Sequence, residues 1–152
     1  MNSTLMDKTR GHTMKSFLGC VALAAGMLLG TFSHGEIMVV VHPSNAALFD
    51  KNAIQRIFLG KTRAFPGGEE ALPLSLRETT VASADFTRSV LAKTPKQLKS
   101  YWAKMVFTGK GTPPKQMDSS KQIIDLVSNN PNFIGFVKAG TDNGGVKVVG
   151  RF

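Results

Sequence analysis

The chain has 152 residues, with 19 Lys and Arg against 10 Asp and Glu, a formal net charge of +9. That length holds one domain rather than several. A single cysteine excludes a disulfide framework, and from residue 36 onward one histidine and no cysteine are too few ligands for a structural zinc site.

Read from the N-terminus, Lys15 supplies a positive charge ahead of an apolar run from Phe17 to Phe32. Ser33-His34-Gly35 then offers a small-x-small cleavage site. This order predicts a cleaved secretory signal peptide. The run is shorter than the roughly 20 residues of a membrane span, which argues against an uncleaved anchor. Met14 is a natural alternative start. Cys20 stands at the front of the apolar run, behind the poor lipobox Phe17-Leu18-Gly19, so lipidation is not expected. The expected division is residues 1–35 as extension and signal, and 36–152 as an exported domain, periplasmic or secreted further. That domain keeps 16 Lys and Arg against 9 Asp and Glu, net +7, with His42 as its one histidine and no cysteine. A basic surface on an exported protein serves small anions, anionic lipid headgroups or acidic partners more readily than nucleic acid.

Ile37 to Val41 (IMVVV) is a continuous, β-branched apolar run and reads as a buried, parallel strand. His42-Pro43-Ser44-Asn45 breaks it. Asp50 is placed to cap a helix from Lys51 to Leu59, with Ala53, Ile54, Ile57 and Phe58 on its apolar face and Gly60 as its stop. A loop through Pro66-Gly67-Gly68 leads to a second strand, Leu72 to Leu76, edge-like because of Pro73. A helix follows over Ser83–Leu91, with Ser83 as an ordinary N-cap and Phe86 and Val90 facing in.

Thr94-Pro95-Lys96-Gln97 forms a capping box with Pro at the first helical position. The helix it opens runs to Phe107. Its stripe of Leu98, Tyr101, Trp102, Met105 and Val106 faces the core, which makes Trp102 a packing residue. Thr108 to Gln116 reads as a basic loop. Ser119 opens another helix, with Ile123, Ile124 and Val127 inward, ending at Asn129-Asn130-Pro131. Phe133 to Val137 (FIGFV) is a third strand, Asp142-Asn143-Gly144-Gly145 a turn, and Val146 to Val149 the last strand. Alternating strands and helices imply a partly parallel sheet with helices on its faces.

Three stretches carry a resemblance: Ile57-Phe58-Leu59-Gly60-Lys61, an Arg at Arg77 after a strand and before the helix of Phe86, and Pro131-Asn132-Phe133-Ile134-Gly135-Phe136-Val137. In this order they resemble the phosphate-binding proteins of ABC importers. The chain looks closest to the short, single-domain group of phosphate ABC transporter substrate-binding protein-like sequences. That group also has the pattern seen here as Tyr101-Trp102, Phe107-Thr108-Gly109-Lys110-Gly111 and Pro113-Pro114. The resemblance implies an α/β fold: a single lobe like a type 2 periplasmic binding protein domain, with a mixed, mostly parallel sheet flanked by helices. It further implies phosphate or a related oxyanion as ligand, an ABC-type uptake or sensing system, and no catalysis. This chain departs from the full-length pattern in two ways. It has room for one lobe only. Where that pattern has an Arg before a Gly-Ser-Gly-Thr loop, this sequence has Arg77-Glu78-Thr79-Thr80-Val81-Ala82-Ser83-Ala84.

The candidate anion ligands are therefore Arg77, Ser83, Thr79 and Thr80, with Ser44 and Asn45 in the loop after the first strand. Helix N-termini attract anions through unpaired N–H groups and the helix dipole. An Arg fork adds bidentate recognition, and Ser and Thr hydroxyls donate. No cofactor is implied. Lys110 to Lys115 is a second candidate surface, for an acidic partner, or a plain connector. His42 is the one possible imidazole base, and a Ser-His-acid site is conceivable with Ser44 or Ser83, but no G-x-S-x-G elbow, paired-carboxylate signature or P-loop accompanies it. Two other readings stand beside the oxyanion receptor. One is an accessory protein without ligand that docks on an envelope receptor, sensor kinase or porin. The other is a homodimer whose two chains rebuild a two-lobed cleft.

Overall fold

The computed structural model describes residues 35–152. The predicted signal peptide, with Cys20 and the alternative start Met14, lies outside the described residues. Nine elements follow in chain order: β1 (Ile37–Val41), α1 (Lys51–Phe58), β2 (Leu72–Leu76), α2 (Val81–Ser89), α3 (Pro95–Phe107), β3 (Lys115–Met117), α4 (Ser120–Asn129), β4 (Phe133–Lys138) and β5 (Lys147–Arg151).

The five strands form one sheet in the order β3-β2-β4-β1-β5. β2 pairs in parallel with both β3 and β4. β1 pairs antiparallel with both β4 and β5. This is the expected α/β architecture with a mixed sheet, but β1 itself corrects its predicted direction. All five of its residues are buried, because helices cover both faces of the sheet where it lies. A continuous apolar run reports that coverage and says nothing about strand direction.

The two faces are read from β4, where successive side chains point to opposite sides. Phe136 stacks on Phe86 of α2, centroids 3.9 Å apart and planes 5° apart. Phe58 of α1 packs edge-on against Phe86 at 4.8 Å. These three rings centre the core on the α1–α2 side. The neighbouring Gly135 meets α4 on the other side, where an added Cβ would lie 2.3 Å from Ile123 Cγ2. α3 lies outside α2 and is tied inward by Tyr101, whose hydroxyl donates to the Leu59 carbonyl at 2.6 Å. Trp102 is buried, as its place in the stripe requires. Val106, given the same inward role by the pattern, is 54% exposed.

Helix ends follow local chemistry. Asp50 caps α1 by accepting from the Ala53 amide at 2.6 Å. Thr94 and Gln97 form both bonds of the capping box on α3. α1 and α3 terminate alike, in the sequences Phe58-Leu59-Gly60-Lys61 and Phe107-Thr108-Gly109-Lys110. In each, the glycine has φ near +65°. Gly60 donates to Ile57 and Lys61 to Arg56, and Gly109 donates to Val106 and Lys110 to Met105. That is the Schellman pairing, which needs a left-handed residue and so selects glycine.

Three predicted boundaries are corrected, one of them the last strand, which runs Lys147–Arg151 instead of Val146 to Val149. α2 starts at Val81 and its cap is Thr80, with Ser83 already inside the first turn. The segment read as loop through Gln116 ends in β3, an edge strand of three residues.

Candidate functional site

β2, β3 and β4 run the same way, so their C-terminal ends share one end of the sheet. Arg77 leaves β2 there, its amide donating to the Met117 carbonyl of β3 at 3.2 Å. Thr80 closes the turn after Arg77: its amide and its hydroxyl both donate to the Arg77 carbonyl, at 3.0 and 2.9 Å. The same hydroxyl accepts from the Ser83 amide at 3.2 Å and so caps α2. Next to it, Ser119 caps α4 by accepting from the Gln122 amide at 3.3 Å. The N-termini of α2 and α4 therefore flank Arg77.

Asp118 occupies the space between them. Its carboxylate accepts from Arg77 Nε, and both side chains are more than half exposed. Its own amide donates to the Gln122 side chain at 2.9 Å. A carboxylate in this position answers both the guanidinium and the α4 dipole. The chain thus supplies an anion of its own to the cation that the sequence offers to a ligand. Glu78 adds a second carboxylate beside Arg77 in the chain.

The predicted ligands divide into groups. Thr79 and Arg77 are exposed, and Thr80 is spent on its cap. Ser83 is 6% exposed and turned toward α3. It lines two small gaps of 30 and 20 Å³ with Glu78, Thr87 and Leu98. Each is room for about one water and too small for a tetrahedral oxyanion. Ser44 and Asn45 lie at the opposite end of the sheet. Because β1 is reversed, Val41 and Pro73 both pair with Ile134, so the end of β1 is level with the start of β2. The three residues from Pro73 to Leu76 alone put about 10 Å between those ends.

The Ser44 loop is a self-contained turn. The Asn45 amide donates to the His42 carbonyl at 3.0 Å, with Pro43 at the second position of the turn. Asn45 Oδ1 accepts from the Ala47 amide at 2.9 Å, and its carbonyl accepts from Lys147 at 3.0 Å. His42 Nδ1 lies 2.7 Å from Ser44 Oγ and also accepts from the Ser44 amide at 3.2 Å. That nitrogen is committed to the turn. Among the described residues no carboxylate bonds to the ring.

A larger concavity, 390 Å³, opens where the N-terminal half of β2 runs past β3. Arg63, Glu70, Leu72, Thr112 and Lys115 help to line it, and none of the six predicted ligands does. One wall of it, Gly111 to Lys115, belongs to the stretch singled out in the sequence as a second candidate surface. The other wall was not legible there, because it depends on the shortness of β3, which leaves Leu72 and Pro73 without a partner on that side.

No protein-family model and no curated protein matches this sequence. Solved structures do match its fold. An ABC-type phosphate transport receptor from Vibrio cholerae aligns with a TM-score of 0.58 at 13% identity, over 76% of this chain and 46% of that one. Over the aligned part, this chain and that receptor share one fold. A protein from Clostridium perfringens, described as a phosphate ABC transporter substrate-binding protein and holding phosphate, aligns at 0.57 and 17% identity. PstS from Borrelia burgdorferi aligns at 0.56 and 10%. The chain spans under half the length of each of these receptors. Among its described residues no helix is long and apolar enough to cross a membrane.

Proposed function

We propose that this domain is exported and acts as a substrate-binding protein for phosphate or a related oxyanion, in an ABC-type uptake or sensing system. The observation that carries the reading is Arg77 standing between two helix N-termini at the shared end of the parallel strands. Arg77 supplies a planar fork for two oxyanion oxygens. The α2 and α4 termini supply field and amide donors, and Thr79 a free hydroxyl. The role is one of binding, without a chemical step.

Ligand entry displaces Asp118 from Arg77. The pair is exposed, so breaking it costs no more than about 1 kcal/mol. The test is calorimetric titration of phosphate, with sulfate as control. Arg77→Ala abolishes binding, and Asp118→Asn tightens it, by up to about fivefold if the full 1 kcal/mol returns. Affinity that ignores both substitutions sinks the site.

A second reading is an accessory protein of the envelope that uses the same fold without a ligand. Asp118 and Glu78 beside Arg77 favour it, since both oppose an incoming anion. A third, two chains pairing into one cleft, restores the length that the receptors have. Sedimentation with and without phosphate separates them. Phosphate-driven dimers support the third reading, and a monomer giving no heat supports the second.

A further inference from the structure

From Phe86 to Met117 the chain carries Arg88, Lys93, Lys96, Lys99, Lys104, Lys110 and Lys115 and no carboxylate at all. The rest of the described residues balance, nine cations against nine acids. The whole net charge of the domain is therefore concentrated on α3 and its flanks. Among the described residues, Lys96, Lys99, Lys104 and Lys110 take part in no ion pair.

The same surface holds a bare aromatic ring. Phe107 is 93% exposed and Val106 54%. At 100° per residue, Phe107 shares one stripe with Lys96, Ser100 and Ala103, opposite the Leu98–Trp102 face. Lys99 and Lys104 flank that stripe, and Lys110 follows the helix end. The comparison with α1 is internal to the molecule. Both helices end in Phe-x-Gly-Lys with the same glycine pairing, yet Phe58 is 1% exposed. The terminator does not require the ring to be in solvent, so the exposure of Phe107 belongs to the surface and not to the cap.

We infer that the outer face of α3 docks on an anionic lipid surface, with Phe107 entering the headgroup–acyl boundary and the lysines around it lying on the phosphates. The composition selects lipid over protein. Protein interfaces are depleted in Lys and enriched in Arg, and this face holds Lys96, Lys99, Lys104 and Lys110 and no Arg. Lysine stems reach along an apolar surface while keeping their charge at the headgroups, and small residues at Ser100 and Ala103 let the helix lie close. A carboxylate would be repelled from such a surface, and none is there. The inference stands apart from the oxyanion reading, since neither Arg77 nor Asp118 belongs to this face.

The test places the reporter at the contact. Phe107→Trp in the full chain, with the wild-type chain and its buried Trp102 as reference, is mixed with vesicles of phosphatidylglycerol or of phosphatidylcholine, with and without brominated lipid. Because the signal arises at position 107, the apolar run from Phe17 to Phe32 does not generate it. The expected result is a blue shift and bromine quenching in phosphatidylglycerol alone, reversed by high salt. Changing Lys99, Lys104 and Lys110 to Gln in that variant weakens the response by about fivefold per lysine, with circular dichroism unchanged. No shift with either lipid, an equal shift with both, or a response indifferent to the lysines overturns the proposal. A shift with polyglutamate but not with vesicles overturns it in favour of an acidic protein.

Discussion

Gly135 has no room for a side chain. An added Cβ would lie 2.3 Å from Ile123 Cγ2 and 3.7 Å from Leu74 Cβ, so α4 sits closer to β4 than any other residue type permits. Gly135→Ala forces that helix outward, and overpacking of this kind costs about 1–3 kcal/mol. Urea denaturation is expected to show the loss as a lower midpoint with unchanged slope. The stretch Pro131 to Val137 was recognisable in the sequence, but its glycine carried no visible reason there, because the reason is a contact with α4. Ser83 teaches the converse. Thr80 and Ser83 stand three residues apart and both bear hydroxyls, so spacing alone does not say which one caps. The extended backbone at Thr80, φ −83° and ψ 145°, decides it, and Ser83 is left buried in the first turn, lining small gaps beside Leu98.

At the scale of elements, what was legible is what depends on near neighbours in sequence. The caps at Asp50, Thr94 and Ser119 and the stop at Gly60 are short-range chemistry, and each stands where it was read. β3 escaped because three residues carry no period, and only Met117 among them is buried. The end of α2 holds a local conflict that the sequence does not announce. Ala92 has φ +52°, a left-handed conformation that a Cβ makes unfavourable by about 1–2 kcal/mol. Glycine removes that strain but raises the entropy of the unfolded chain, which offsets part of the gain. Ala92→Gly is expected to raise stability by up to about 1 kcal/mol, read as a higher Tm. An unchanged or lower Tm would mean that the left-handed turn is not under strain.

For the molecule as a whole, strand direction governs where candidate ligands meet. The two proposed anion loops follow β1 and β2, and either would sit at a strand's C-terminal end. The antiparallel entry of β1 sends them to opposite ends of the sheet. Pairing direction is set between segments far apart in sequence, so no reading of local pattern reaches it. The class of fold was legible for the opposite reason, since alternation of strand and helix survives any choice of direction. Charge shows the same split. The net +7 of residues 36–152 is visible from composition, whereas the exposure of Phe107 in its midst required the fold.

β1 begins and β5 ends at the same place. The Ile37 amide donates to the Phe152 carbonyl at 2.9 Å, and the Phe152 amide donates back to Ile37 at 3.0 Å. The described chain is thus nearly a closed ring, joined across one pair of hydrogen bonds. A short Gly-Ser bridge from Phe152 to Glu36, with new ends cut between the exposed Gly67 and Gly68, makes a circular permutant with the sheet order preserved. Its circular dichroism and cooperative unfolding should match those of the parent. A domain whose first and last strands meet in this way can also be seated within a loop of an unrelated host, entering and leaving through a gap only one strand pair wide.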